Sequence, residues 1–170
     1  MSNGAPKRNA YPSVVSPARL VLICGLPGAG KTTLAKQLAH QLRAVRLCPD
    51  EWKHDLGIDY YDDEARARLE HRLWLLAEEL LTLGQHVIME NGFWARPERD
   101  ELRRAGHAVG ATVELHYLAA PVEELWRRLE RRNEEHGPGI VPIERSDLDK
   151  WVEHFEAPDA AELALFDSII

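Results

Sequence analysis

Residues 25–33 read GLPGAGKTT, preceded by the apolar run RLVLIC at 19–24 and followed by LAKQLAHQLR at 34–43. Gly25, Gly30, Lys31 and Thr32 occupy the fixed places of the pattern G-x-x-x-x-G-K-[ST], and Gly28 adds backbone freedom between them. The run LVLIC is short and wholly apolar, as a buried parallel strand is, while Leu34, Leu38 and Leu42 recur at a spacing of four, which predicts one face of a helix. Strand, glycine loop and helix in that order place backbone amides and a helix N-terminus against a phosphate chain. Lys31 then reaches the terminal phosphates and the Thr32 hydroxyl is a magnesium ligand. Gly25, Gly28, Ala29, Gly30, Lys31, Thr32 and Thr33 are the expected phosphate-cradling set.

The chain has 170 residues and 45% apolar composition, enough for one well-buried domain and too little for two ordinary ones. Its formal charge of −7 argues against general attraction to nucleic acid or an anionic membrane. No uninterrupted apolar run is long enough for a membrane span, and the first 17 residues, rich in Pro, Ser, Asn and Gly, read as a flexible tail without the apolar centre of a secretory signal. Cys24 and Cys48 show no metal-ligand spacing and read as buried, reduced thiols, consistent with a cytoplasmic enzyme; the expected state is a monomer or homodimer.

Further along, AVRLC at 44–48 and HVIM at 86–89 predict a second and a third strand, and TVELHYL at 112–118 a fourth. Between them, Leu69, Leu73, Leu76, Leu80 and Leu83 predict one face of a long helix stopped by Gly84, and ARPERDELRRAG a charged helix ending at Gly106. PVEELWRRLERRN predicts a helix after the fourth strand, EEHGPGIVPIERS a loop able to move, DLDKWVEHF a last amphipathic helix, and LALFDSII a fifth strand at an edge. Alternating strands and helices of these lengths imply a parallel sheet wrapped on both faces.

Ligands of such sheets sit at the carboxyl ends of the strands. Asp50 follows the second strand, where it suits either a base for an acceptor hydroxyl or the N-cap of the EWKHDL turn. Glu90 follows the third strand, where it suits the magnesium shell, the acceptor, or simply solvent. Arg128 and Arg132 share one helical face, with Arg127 and Arg131 on another; a cationic lid over the phosphates and a salt-bridged surface with Glu123, Glu124 and Glu130 both fit. Phe93 and Trp94, with Arg96 and Arg99 in the next turn, suit an acceptor pocket with an aromatic wall and an anion clamp, or plain packing. Trp74 and Trp126 read as core.

The segments LICGLPGAGKTTLAKQLA, VRLCPDEW, VIMENGFWARPERDELR and LERRN, in this order, resemble small AAA-family ATP-binding P-loop kinases, relatives of chloramphenicol phosphotransferase, gluconate kinase, zeta toxin and the kinase domain of polynucleotide kinase. The likeness runs over residues 20–170. It implies a P-loop NTPase fold, a three-layer α/β/α arrangement with a five-stranded parallel sheet of order 2-3-1-4-5. A single kinase domain would span residues 18–170, with a helical and loop lid at about 127–146. It also implies ATP and Mg2+ as ligands, with Lys31, Asp50, Arg128 and Arg132 catalytic and Thr32 and Glu90 at the metal. Asp50, Glu90, Arg96 and Arg99 are expected to face the acceptor. Relatives often carry Asp where this chain has Glu90, one methylene longer. The expected activity is transfer of the ATP γ-phosphoryl group to a hydroxyl of a small molecule, such as an antibiotic, sugar acid or nucleoside-like compound. The alternatives are an ATP-controlled switch acting on a protein partner and a polynucleotide 5′-hydroxyl kinase. The acidic balance, and the lack of a basic stripe interleaved with aromatics, speak against a nucleic-acid partner.

Overall fold

The computed structural model describes residues 16–135 and 141–167. The first strand, β1 (Arg19–Cys24), is buried along almost its whole length, as its unbroken apolar run requires of a central parallel strand. It pairs in parallel with β3 (Val87–Gly92) on one side and with β4 (Thr112–Tyr117) on the other, and β2 (Val45–Leu47) pairs with β3. The order among the described residues is therefore β2-β3-β1-β4.

Side-chain alternation along β1 and β3 divides the core in two. Val21, Ile23 and Ile88 point to the face covered by α1 (Lys31–Leu42), where Ala35, Leu34, Leu38 and Leu42 meet them. Leu20, Leu22, Val87 and Met89 point to the opposite face, against Leu69, Leu73, Ala77 and Leu81 of α3 (Asp63–Thr82). Leu76 and Leu80 pack at the border of that cluster, but Leu83 is 83% exposed, because the helix ends at Thr82 and the next residue swings outward before Gly84. α4 (Arg96–Ala108) covers the same face and runs two residues past Gly106. That glycine does not stop the helix; it lets the helix touch the sheet, since a Cβ there would lie 2.7 Å from Val113 Cγ2 and 2.9 Å from Leu20 Cδ2.

A third cluster lies beneath the glycine loop, where Leu26 meets Leu125 and Leu129 of α5 (Val122–Glu134), Leu148 of α6 (Arg145–His154) and Ile143. Trp126 packs against this cluster and Trp74 against the α3 side of the sheet. The expected mobile loop after α5 falls partly on residues 136–140, and most of the expected tail on residues 1–15; both lie outside the described residues.

The expected fifth strand is replaced, through residue 167, by a helical turn, α7 (Ala160–Leu163), whose N-cap Asp159 accepts a bond from the Glu162 amide at 2.7 Å. This turn delivers Glu162 to the buried Arg99. Among the described residues the chain then meets the outer edge of β4 at Asp167: the Asp167 amide donates to the Val113 carbonyl at 2.8 Å, and its carboxylate accepts the Val113 amide at 2.7 Å. Residues 168–170 lie outside the described residues.

Candidate active site

The glycine loop is built for close approach. Gly25, Gly28 and Gly30 have φ of 150°, 82° and 95°, and at Gly28 and Gly30 these lie in the left-handed region that disfavours a side chain. A Cβ at Gly28 would stand 2.9 Å from the Leu125 carbonyl, whereas one at Gly30 would project into open space on the loop's free side. The first-turn amides of α1, at Lys31, Thr32 and Thr33, have no partner inside the helix and face that space. Lys31 bends back so that its ammonium donates to the Leu26 carbonyl at 3.0 Å. Burial pushes the Lys31 amine down to about 8, opposed by the nearby carboxylates of Asp50 and Glu90.

Behind the loop, the Thr32 hydroxyl donates to Glu90 Oε1 at 2.9 Å, and Arg46 from β2 donates to Glu90 Oε2, also at 2.9 Å. Glu90 is 7% exposed, so it does not face solvent. Arg46 also pairs with Glu51 on α2 (Pro49–Asp55). With its proton spent on Glu90, the Thr32 oxygen keeps only lone pairs, which is what a hard cation requires of a ligand. The loop and these side chains therefore fit a magnesium-bound nucleotide, for which Thr32 would be the metal ligand and Glu90 would set its orientation.

Asp50 does not cap α2. The N-cap is Cys48, and Asp50 lies within the helical first turn, leaving its carboxylate 56% exposed with Arg66 3.9 Å away. It borders two cavities. One, of about 470 Å³, also takes in Thr32, Lys53, Tyr60 and Arg132; the other, of about 440 Å³, takes in Lys31, Glu90, Asn91, Trp94 and Trp151. Tyr60 stands between them and is fixed by Lys53, which is 2% exposed, donates to the Tyr60 carbonyl at 2.5 Å and lies 5.2 Å from its ring.

The arginines of α5 divide. Arg127 is taken up by Glu124 at the surface. Arg128 also bonds Glu124, at 2.8 Å, yet extends a second nitrogen to the Gly28 carbonyl at 3.3 Å, so it joins the salt-bridged surface to the glycine loop. Arg132 lines the cavity beside Thr32 and Asp50, and its Nε is buried without a partner.

Two expected acceptor residues lie elsewhere. Arg99 is fully buried; Nε and one terminal nitrogen hold both oxygens of Glu162 at 2.6 and 2.9 Å, and the other donates to the Phe93 carbonyl at 2.9 Å. It is no anion clamp: every nitrogen is engaged inside the protein. Arg96 is exposed, near Asp100, and borders neither cavity; its backbone amide donates to Glu156 at 2.9 Å. The Arg99 bond does have a local consequence, since Phe93 sits at φ 46°, a strained setting for a bulky residue, and its carbonyl is held by Arg99 and by the Cys24 thiol. That turn aims Trp94 into the cavity. Both cysteines are free and buried, and burial pushes each thiol up to about 12.

Sequence reasoning overlooked Arg46, Tyr60, Arg66, Glu98 and Trp151. Arg46 left a faint signal, a lone charge inside a strand; the others reach the site from separate helices and loops.

Residues 20–158 match the family model described as an AAA domain, and the chain belongs to that family, the small ATP-binding P-loop kinases. It is 38% identical over 79 residues to human L-seryl-tRNA(Sec) kinase (Homo sapiens), a match covering 41% of this chain and 21% of that protein. Among solved structures it resembles a chain of the Pnkp1/Rnl/Hen1 RNA repair complex, with TM-score 0.70, 22% identity, 88% of this chain and 46% of that chain covered. It also resembles a sugar kinase from Janibacter sp. HTCC2649, with TM-score 0.61, 25% identity, and 86% and 82% covered. The chain thus spans about a fifth of the human relative and under half of the RNA repair chain. No described helix is long and apolar enough to cross a membrane.

Proposed function

We propose that this AAA-domain protein is a phosphotransferase that moves the γ-phosphoryl group of magnesium-bound ATP to a hydroxyl of a small molecule. The observation that carries the reading is Asp50. It is a carboxylate with no capping duty, at the mouth of two cavities that also hold Lys31, Thr32 and Arg132. A nucleotide switch has no use for such a group beside its phosphate loop. Lys31 and the loop amides hold the phosphate chain, and Asp50 takes the proton of the acceptor hydroxyl as its oxygen bonds the γ-phosphorus. The bond from that phosphorus to the bridging oxygen of the departing ADP breaks, and Arg132 and Arg128 offset the charge that develops there. Magnesium, when bound, supplies charge neutralisation of the phosphate oxygens.

The named relatives differ, one a kinase of seryl-tRNA, one a chain of an RNA repair complex and one a sugar kinase, so the acceptor has to be read from this chain's own cavity. Carboxylates around that cavity and a net charge of −7 disfavour a polynucleotide, whose phosphates would be repelled. The test is incubation of the purified protein with labelled ATP, magnesium and a pooled library of hydroxyl compounds, beside Asp50→Asn. Label transfer that falls about 100-fold to 10,000-fold in the variant, with ATP binding and melting temperature kept, is the expected result. Transfer at the parental rate in Asp50→Asn removes the base, and ATP turnover without any labelled product removes the kinase reading.

A further inference from the structure

The second cavity is lined by six carboxylates and by two cations, Lys31 and Arg66. Glu90 is already held by Arg46, and Asp147 lies 3.6 Å from Lys150, so the negative charge left over is that of Glu98, Asp63 and the half-exposed Asp50. Lys31 is turned toward the glycine loop, and Arg66 is spent on Glu70 at 2.8 Å, with Asp50 at 3.9 Å. Glu98, on the first turn of α4, is left with a bond from the Ala95 amide and no salt bridge among the described residues; burial, then the neighbouring Glu70, pushes its carboxyl up to about 7. The Oδ1 atom of Asn91, at the end of β3, is buried on the same cavity wall and accepts no hydrogen bond. An acceptor of this kind is open to a donor from outside the chain, a water or a ligand group. Trp94 and Trp151 complete the wall, with ring centroids 5.9 Å apart and planes tilted by 53°.

Acceptors without donors, surplus negative charge and an indole wall all favour the same ligand chemistry. We propose that the acceptor is a cationic hydroxyl compound, an amino alcohol or amino sugar, whose ammonium sits between Glu98, Asn91 Oδ1 and the Trp94–Trp151 wall while its hydroxyl is presented to Asp50. The ammonium donates to the groups that lack donors, and the indole faces attract it through their quadrupoles. A sugar acid or other anion is excluded by repulsion from Glu98 and Glu70. This inference rests on the kinase reading above for the fate of the hydroxyl, but recognition of the cation is independent of transfer.

Three compounds on one frame separate charge from shape: glucosamine, glucose and gluconate, each titrated into the full chain loaded with magnesium and a non-hydrolysable ATP analogue, with the indole resonances of Trp94 and Trp151 as the readout. Glucosamine is expected to bind about tenfold to 100-fold more tightly than glucose, with gluconate weakest. Glu98→Gln keeps the shape and the bond to Ala95, and is expected to bring glucosamine to the glucose level while leaving glucose unchanged, a loss of selectivity that mere destabilisation does not produce. Equal affinities, a preference for gluconate, or indole resonances unmoved by glucosamine would each overturn the proposal. Label transfer in the pooled assay to a neutral or anionic compound also overturns it and leaves the kinase reading standing. Glucosamine binding without any transfer to the pool retires the kinase reading alone.

Discussion

The phosphate side and the acceptor side of this site share Asp50 and Lys31 but are built on opposite lines. On the phosphate side the side chains at the loop are committed: Thr32 to Glu90, Glu90 to Arg46, Lys31 to the Leu26 carbonyl. On the acceptor side Asp50 is half exposed, Asn91 Oδ1 is orphaned and Glu98 carries no salt bridge. A polyphosphate presents the same charges whatever the reaction, so a cradle for it gains from being rigid in advance. An acceptor differs from one relative to the next, and the groups that await it are left with capacity for a further partner.

That contrast can be broken most directly at Lys31. Lys31→Ala removes the one cation the loop aims at the terminal phosphates, and phosphoryl transfer should fall by about 1000-fold or more, measured as labelled product per folded molecule. Activity within tenfold of the parent would mean that the phosphate side is not the committed half of the site.

The next effect concerns the Arg99–Glu162 tie that holds the Phe93 turn beside the acceptor wall. Arg99→Ala strands Glu162 as a buried charge and releases the Phe93 turn, so chemical denaturation should show a loss of about 3–5 kcal/mol. The paired change Arg99→Met with Glu162→Leu removes both charges and should recover most of it. If the single substitution cost nothing in stability but weakened acceptor binding, Arg99 would be the anion clamp after all.

Glu98 sharpens the comparison through pH. Its folded value near 7 is above the ordinary 4.5, because burial disfavours the ionised form. The folded chain therefore holds an extra proton between those values, and stability from this group is full below about 4.5 and is lost as pH rises through about 7. Glu98→Gln should raise stability by about 1–3 kcal/mol at pH 8 and change little at pH 4.5, read from melting curves at both. An equal effect at the two pH values would show that Glu98 is not held against its charge.

The smallest effect is a fraction of a proton. Lys31 has a folded value of about 8, lowered from 10.5 by burial, and phosphates beside it favour the charged form. Binding of ATP near pH 9 should take up part of a proton, and near pH 6.5 almost none, seen as a dependence of calorimetric heat on the buffer's ionisation enthalpy. No uptake at pH 9 would mean that Lys31 is already charged in the free protein.

Much of the phosphate side was legible in the chain because it is local. GLPGAGKTT, the apolar strand before it and the leucine spacing after it fix strand, loop and helix within 24 residues, since glycine conformations and helix-terminal amides depend on near neighbours. Glu90 was visible as a polar residue at a strand end, but its bond to Thr32 spans 58 positions and its bond to Arg46 spans 44. Spacing carries no information about such pairs.

What the sequence by itself determined is thus the parallel α/β frame and the nucleotide loop, where hydrophobic period and glycine placement act over a few residues. The tertiary structure alone decided that Arg99 is an internal tie to Glu162 rather than a clamp, that Gly106 is a contact rather than a stop, and that Asp50 caps nothing. It also brought Asn91, Glu98, Trp94 and Trp151 onto one cavity from β3, α4, α6 and the turn between strand and helix. Each of those outcomes depends on which side chains meet across the sheet, and that is set by packing between elements far apart in the chain.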